Sequence, residues 1–216
     1  MKVFYLIAGE SLFCTLKGPE SPSTIVITTA CLERRHTDIE LWNAFKAGDD
    51  AAFENLFNKF YRLLYQYGSK FCSDKEVLED CIQNLFLELW QSKSQAPVVS
   101  VKVYFLKAIK YKIYRAISNN KNGNKDLPLP DDLAFEFSHE SFIVAREENK
   151  EHLDRLVTCL QQLPNRQREI IYLKIYKDLG YEEVAELMQI NYQAARNLLY
   201  QAIKNLKEHF NSLPVH

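Results

Sequence analysis

A set of hydrogen-bonding and cationic side chains near the C terminus has the chemistry of base recognition. Apolar residues recur every three or four positions from Ala195 to Phe210, which predicts one amphipathic helix that begins near Tyr192. The outward face of this helix would present Tyr192, Gln193, Arg196, Asn197, Tyr200 and Lys204. Glutamine, asparagine and arginine form bidentate hydrogen bonds with base edges, whereas lysine suits phosphate. This face therefore predicts contact with duplex DNA.

A second helix and a tight turn are needed to hold such a face in a DNA groove, and the preceding residues predict both. A short helix is predicted at 182–188, and a turn at 189–191 leads into the long helix. This order is typical of a helix-turn-helix, whose second helix enters the major groove. The turn lacks its usual glycine, so Gln189 or Asn191 would have to take up any left-handed conformation. An ordinary amphipathic hairpin has the same periodicity, so both interpretations remain open at this point.

A second candidate surface lies in the middle of the chain, where positive charge is concentrated. Residues 98–125 contain seven basic side chains and no acidic one, and a helix predicted at 101–119 interleaves the cations with aromatic rings. The candidate contact residues are Lys107, Lys110, Tyr111, Lys112 and Arg115. Cations attract the backbone of a single strand, and aromatic rings stack on unpaired bases. The pattern predicts a site for single-stranded nucleic acid, with a solvated charged face as the alternative.

The region before it, 38–96, has the opposite charge and is also helical in pattern. Six basic residues stand against ten acidic ones, hence a net charge of −4. Helices are predicted at 38–46, 51–71 and 75–91; the second would be capped by Asp49 or Asp50 and the third by Ser73 or Asp74. This segregation of charge indicates one face for a protein partner and another for a polyanion.

The pattern as a whole predicts an all-α fold. Helical periodicity recurs along the chain and only six glycines are present, which argues against a β-rich fold. We expect two small helical domains joined by a flexible linker, with the helix-turn-helix in the C-terminal domain.

Catalytic and metal-binding motifs are not evident in the sequence. The five cysteines are scattered without CxxC spacing, the five histidines are isolated, and there is no glycine-rich phosphate loop or Gly-x-Ser-x-Gly motif. We therefore expect no enzymatic activity, no metal, no cofactor and no small-molecule substrate. An odd, scattered set of cysteines is typical of reduced thiols, which indicates a cytoplasmic protein.

Two stretches of the chain resemble the extracytoplasmic-function sigma factors of the sigma-70 superfamily. The segment LEDCIQNLFLELW, at 78–90, is similar to the family's helix that binds core RNA polymerase, with matches at Asp80, Gln83, Phe86 and Trp90. The segment that begins LPNRQREIIYL, at 163–173, is similar to the start of the family's second domain. The two stretches occur in the family's order and spacing, so together they are more specific than either one alone.

The resemblance implies a sigma factor that directs promoter-specific initiation. Contact with the β′ clamp of core polymerase would come from Asp80, Gln83, Asn84, Phe86 and Trp90, although packing in the core is the alternative for the last two aromatic rings. The helix at 101–119 would bind the −10 element, and the helix from Tyr192 the −35 element. The implied partners are core RNA polymerase (its β′ clamp and β flap), promoter DNA, and an anti-sigma factor, often membrane-anchored in the family.

Domain boundaries follow from the same pattern. We predict a region 2-like domain at 38–119, an acidic, proline-containing linker at 120–140 and a region 4-like domain at 141–212, in which helix resumes near Ser141. Residues 1–37 are expected to form an N-terminal extension outside both domains. Glu10 interrupts its apolar run, which argues against a secretory signal.

Two other classes of function are compatible with parts of this pattern. One is a polymerase-independent regulator that binds duplex DNA through the same helix-turn-helix, and the other is a helical adaptor without nucleic acid. The segment at 78–90 and the acidic excess of its domain favour a polymerase-binding protein over the first. The uninterrupted basic run at 98–125 argues against the second.

Overall fold

A computed structural model describes residues 37–92, 98–122, 133–137 and 150–212, and all regular structure in these ranges is helical. The helices are α1 (Asp38–Lys46), α2 (Asp50–Gly68), α3 (Lys75–Ser92), α4 (Val101–Asn122), α5 (Lys150–Gln161), α6 (Asn165–Ile171), α7 (Tyr181–Met188) and α8 (Tyr192–Ser212). The predicted all-α fold class is confirmed for this part of the chain.

Short polar side chains set the starts of the first three helices. Thr37 Oγ1 accepts a hydrogen bond from the Glu40 backbone N–H, and the Glu40 carboxylate accepts one from the Thr37 N–H, at 3.3 and 2.7 Å. Asp49 Oδ1 accepts two N–H groups from the first turn of α2 at 2.9 and 3.2 Å. Asp74 does the same for α3 at 3.0 and 3.2 Å. Of the alternatives that the sequence left open, Asp49 and Asp74 are therefore the caps.

Helices α1 to α4 form an N-terminal module around a cluster of aromatic rings. The Phe105 ring of α4 lies 4.7 Å from Phe60 of α2, 5.3 Å from Phe86 of α3 and 6.0 Å from Trp42 of α1, measured between ring centroids. None of the four residues is more than 3% exposed. Because buried aromatic side chains contribute large apolar areas, this cluster holds α4 firmly against the rest of the module.

Helices α5 to α8 form a C-terminal module with an irregular connection in its middle. Helix α6 continues directly into one π-helical turn, Tyr172–Tyr176. Asp178 then adopts a left-handed backbone with φ of 49°, and α7 begins after Gly180. The side chains of Leu173, Leu179 and Val184 are fully buried on either side of this reversal.

The two modules pack against each other within one compact unit, His36–His216. The sequence predicted a flexible linker at 120–140, of which the structure describes 120–122, as the last residues of α4, and 133–137. Within 133–137, Phe135 is 0% exposed and Phe137 is 2% exposed. Burying two phenylalanine rings is favourable, so this short segment packs against the modules. Residues 123–132 and 138–140 of that linker, the helix start near Ser141 and the N-terminal extension up to residue 36 lie outside the described residues.

Candidate nucleic-acid interface

The tight turn between α7 and α8 sets the direction of the C-terminal helix. Gln189, the capping residue directly after α7, adopts the left-handed conformation, with φ of 55° and ψ of 45°, which confirms one of the two positions that the sequence offered. The Ile190 backbone N–H donates to the Ala185 carbonyl at 3.0 Å, and Asn191 Oδ1 caps α8 by accepting from the Ala194 N–H at 2.7 Å. The turn is therefore a helix-turn-helix turn without glycine.

The outward face of α8 has the composition that the sequence predicted. All of its candidate contact residues are exposed, namely Tyr192, Gln193, Arg196, Asn197, Tyr200 and Lys204. Gln193 Nε2 donates to Asn197 Oδ1 at 3.0 Å, and the Arg196 guanidinium lies 6.0 Å from the Tyr192 ring centroid. These contacts limit the rotamers of the polar side chains before any ligand is bound.

A basic side chain that sequence reasoning missed braces the turn. Arg166 of α6 donates from Nη2 to the Met188 carbonyl at 3.2 Å, at the last residue of α7. This bond satisfies a helix C-terminal carbonyl and ties α7 to α6. Behind it, Asn205 of α8 donates to the amide oxygen of the buried Gln167 side chain at 3.0 Å. The spacing of these residues carries no local signal, because the partners are 22 and 38 positions apart.

Helix α4 presents only part of its basic run to solvent. Tyr111 is 37% exposed, and the Arg115 guanidinium lies 5.1 Å from the Tyr111 ring centroid. Lys107 is partly exposed on the same helix. Cations can bind the backbone of a single strand, and an aromatic ring beside them can stack on one of its bases.

Three other cations of α4 are held by contacts within the protein. Lys110 is 9% exposed and donates to both carboxylate oxygens of Glu169, on α6, at 2.7 and 2.9 Å. Lys112 forms an ion pair with Glu88 of α3 at 2.6 Å. Lys102 donates to the Lys177 carbonyl at 2.9 Å. Of the five predicted contact residues of α4, Lys110 and Lys112 therefore bind protein acceptors, whereas Lys107, Tyr111 and Arg115 lie at least partly exposed.

The Glu169 carboxylate has a second partner from the N-terminal module. The fully buried Tyr67 hydroxyl donates to Glu169 Oε1 at 2.6 Å. Burial raises the pKa of Tyr67 well above its usual range, and the neighbouring Glu169 carboxylate raises it further. The phenol therefore remains a hydrogen-bond donor at every pH near neutrality. The sequence analysis did not identify Tyr67 or Glu169 as contacts between the modules. The position of the Glu169 carboxylate directly before two apolar residues, Ile170 and Ile171, was the available sign that it is buried with a partner.

Helix α3 offers a polar outer face supported by aromatic side chains. Asp80 and Asn84 are exposed and Gln83 is partly exposed. Phe86 lies in the core, with its ring centroid 4.8 Å from that of Phe57, so it acts on this face through packing. Trp90 is half-buried at the edge, 4.8 Å from the Phe53 ring centroid and 6.5 Å from that of Phe45.

Two further observations concern the described residues. They contain no group of three or more His, Cys, Asp or Glu side chains placed to hold a metal ion. Of the helices described, none combines the length and apolar character needed to cross a bilayer.

Two protein-family models match the chain, one in each module. The model for sigma-70 region 2 matches residues 56–122, and the model for sigma-70 region 4 matches residues 153–206. Among curated proteins, the chain is similar to the ECF RNA polymerase sigma factor SigM of Bacillus subtilis (strain 168), with 22% identity over 162 residues that cover 75% of this chain and 94% of SigM. The RNA polymerase sigma factor SigV of the same strain is 24% identical over 148 residues, which cover 68% of this chain and 82% of SigV.

Two solved structures share the fold. CnrH, in complex with the cytosolic domain of CnrY, aligns with a TM-score of 0.56 and 17% identity over 82% of this chain and 99% of CnrH. The sigma factor RpoE of Bartonella quintana, in complex with the anti-sigma factor NepR, aligns with a TM-score of 0.51 and 15% identity over 75% of this chain and 98% of RpoE.

Proposed function

Since the chain belongs to the sigma-70 family, as an extracytoplasmic-function sigma factor, we propose that it binds core RNA polymerase and directs it to specific promoters. The observation that carries this proposal is the outward face of α8. Its hydrogen-bonding side chains are exposed on a helix whose direction is set by a helix-turn-helix. The proposed mechanism places α8 in the major groove of the −35 element, where it reads base edges.

Base contacts and phosphate contacts on α8 have different expected signatures. We expect Arg196 and Gln193 to bind base edges, because each can form a bidentate pair, and Lys204 to bind phosphate as a point charge. Loss of a base contact removes discrimination at one position of the promoter. Loss of a phosphate contact weakens binding on every sequence and lowers the salt dependence.

The experiment uses polymerase reconstituted with this protein, on promoter fragments that the holoenzyme enriches from genomic DNA. Arg196→Ala and Gln193→Ala should each weaken promoter binding by roughly 1–3 kcal/mol and relax the preferred −35 sequence. Lys204→Ala is the matched control on the same helix, and it should leave the sequence preference intact. Footprints that both base-contact variants leave unchanged would exclude α8 from −35 recognition.

The exposed part of α4 supports a role at the −10 element. Tyr111, Arg115 and Lys107 combine a ring with cations, and we propose that they hold the separated non-template strand. Tyr111→Ala should weaken binding to forked promoter DNA by about 1–3 kcal/mol, because one stacking platform is removed. Tyr111→Phe keeps the ring and should retain most of the affinity; equal losses in the two variants would contradict stacking.

Core polymerase would bind the outer face of α3. Asp80, Gln83 and Asn84 lie on this face, Trp90 flanks it, and the buried Phe86 supports it from within the core. Polar contacts on a helix held by packed aromatic rings are suited to orienting a protein partner. The region 4 module would complete the complex at the β flap.

A pull-down with purified core RNA polymerase tests the assignment of α3. The wild type should be retained, while Asp80→Arg should be lost and Trp90→Ala weakened. Glu54→Arg makes the same charge change at an exposed carboxylate of α2 and serves as the matched control. If the wild type is not retained but binds duplex DNA by itself at physiological salt, the protein is a polymerase-independent regulator.

We also propose an anti-sigma factor as a regulatory partner. The fold is shared with RpoE of Bartonella quintana, which was solved in complex with the anti-sigma factor NepR. A partner of this kind would compete with polymerase for the exposed surfaces of the two modules. Co-purification of the tagged protein from its own host, with and without Asp80→Arg, would identify such a partner.

A further inference from the structure

A row of cations and aromatic rings crosses the surface of the C-terminal module and ends on the outward face of α8. It consists of Lys174 in the π-helical turn, Tyr181 at the start of α7, and Tyr192 and Arg196 in the first two turns of α8. We call these four residues the cation–aromatic row. Lys174 and Tyr181 belong to none of the DNA-contact or polymerase-contact surfaces described above.

The inner end of the row is attached to the backbone of the module. Lys174 Nζ donates to the Leu179 carbonyl at 2.8 Å, and the Leu179 side chain is fully buried. The same ammonium lies 5.0 Å from the centroid of the Tyr181 ring, which is within the range of a cation–π contact. The Tyr181 ring also packs against the hydrophobic core. Its position is therefore set by the fold of the module.

The outer end of the row connects the two helices of the helix-turn-helix. The rings of Tyr181 and Tyr192 meet edge to face, with 5.7 Å between their centroids and an interplanar angle of 65°, an arrangement that aromatic pairs favour. Arg196 lies one turn further along α8, with its guanidinium 6.0 Å from the Tyr192 ring centroid. Side chains four positions apart on a helix are neighbours, so the ring limits the directions that the guanidinium can take.

The other pair of contact residues in these turns has a different support. Gln193 donates to Asn197 at 3.0 Å, and both are exposed residues of α8. This amide hydrogen bond lies within one helix. Tyr192, although 43% exposed, has its ring against α7. The row therefore makes the direction of Arg196 depend on a residue of the first helix of the motif.

The direction of an arginine side chain matters because its base contact is bidentate. A guanidinium binds guanine through two parallel hydrogen bonds, to O6 and N7, and this is the commonest specific contact in the major groove. A long, mobile side chain loses rotamer freedom when it forms such a pair, and restraint before binding lowers that cost. The benefit is greatest for the base that fits the planar guanidinium in its restrained direction.

We propose that Tyr181 is a positioning residue for promoter recognition: through Tyr192 it holds the Arg196 guanidinium in the direction that binds guanine, and it thereby strengthens the base preference at one position of the −35 element. This inference rests on the proposed function, because it takes α8 as the helix that enters the major groove. It extends the determinants of base preference from α8 to the start of α7.

The test measures the affinity of reconstituted holoenzyme for four promoter fragments that differ in one base pair, at the −35 position where Arg196→Ala changes the preference. Tyr181→Leu removes the ring and keeps an apolar side chain, whereas Tyr181→Phe keeps the ring and removes the hydroxyl. Tyr65→Leu makes the same change at a half-buried tyrosine of α2 and is the matched control.

The wild type should prefer guanine by about tenfold or more, and Arg196→Ala should abolish this preference. Tyr181→Leu should lower the preference about threefold, since it removes the restraint on the guanidinium but not the guanidinium itself. Tyr181→Phe and Tyr65→Leu should keep the full preference. In an Arg196→Ala background, Tyr181→Leu should cause no further loss of affinity for the guanine fragment, because a residue that acts through Arg196 has nothing left to hold.

Two results would overturn the positioning role. One is a Tyr181→Leu holoenzyme that keeps the full preference for guanine while Arg196→Ala loses it. The other is a loss of affinity in Tyr181→Leu that persists undiminished in the Arg196→Ala background, because Tyr181 would then act on the fold of the module or on DNA directly. Failure of the proposed function has a different signature and overturns the inference with it: Arg196→Ala then leaves the preference unchanged at every −35 position.

Discussion

The turn of the helix-turn-helix permits a sharp test, because an ordinary residue occupies a conformation that favours glycine. Gln189 has φ of 55° and ψ of 45°, its side chain is exposed, and its backbone N–H donates within α7. Replacing Gln189 by glycine removes the Cβ that crowds the following carbonyl, and it removes no buried contact. We therefore expect Gln189→Gly to stabilise the folded protein.

The magnitude follows from two opposing terms. A left-handed conformation costs an L-residue roughly 1–2 kcal/mol relative to glycine. Glycine increases the entropy of the unfolded chain, which offsets about 0.4–1 kcal/mol of that gain. The net expectation is an increase of about 0.5–1 kcal/mol in the free energy of unfolding, or roughly 2 °C in melting temperature for a chain of this size.

Urea unfolding followed by circular dichroism measures the change in the free energy of unfolding. Two control variants show whether the effect comes from the left-handed conformation. Gln189→Ala keeps the Cβ and should not stabilise the protein. Glu186→Gly, three residues earlier in the same helix and also exposed, lies at an ordinary helical position and should destabilise by roughly 1 kcal/mol. If glycine at 189 destabilises as much as glycine at 186, the left-handed turn is not present in solution.

Three further predictions concern the cores and their titratable groups. Phe105→Ala should cost about 3–5 kcal/mol in urea unfolding, because it empties the centre of the aromatic cluster; a loss below about 1 kcal/mol would contradict that packing. Burial raises the pKa of Tyr67 and Tyr172 above that of an unfolded tyrosine. Above about pH 10 the unfolded chain therefore releases protons that the folded chain keeps, so the free energy of unfolding should fall as pH rises, and Tyr67→Phe should reduce this slope. Burial also raises the pKa of the Cys81 and Cys159 thiols, so mass spectrometry should find both alkylated more slowly in the folded protein than in urea; equal rates would contradict their burial.

Local features of the chain were enough to predict six of the described helices, α1 to α4, α7 and α8. The first helix has the predicted bounds, Asp38–Lys46, and the turn at 189–191 lies where the change of periodicity placed it. Capping side chains, apolar repeats and turn residues act over fewer than five positions, so each can be recognised without knowledge of the tertiary structure. The exposed face of α8 follows from the same rule, because the opposite stripe is apolar.

The sequence by itself determined that α4 is a basic, aromatic helix, but only the tertiary structure decided which of its cations face solvent. Lys110 is buried against its acceptor, Glu169, which lies 59 residues further along the chain, and Tyr67 reaches the same carboxylate across 102 residues. The same holds for Phe86 and Phe135, whose apolar character was evident but whose neighbours were not. A charged side chain can be buried only when a group of opposite charge or a hydrogen-bonding group lies beside it. For Lys110 that group is distant in sequence, and only the packing of the two modules brings it close.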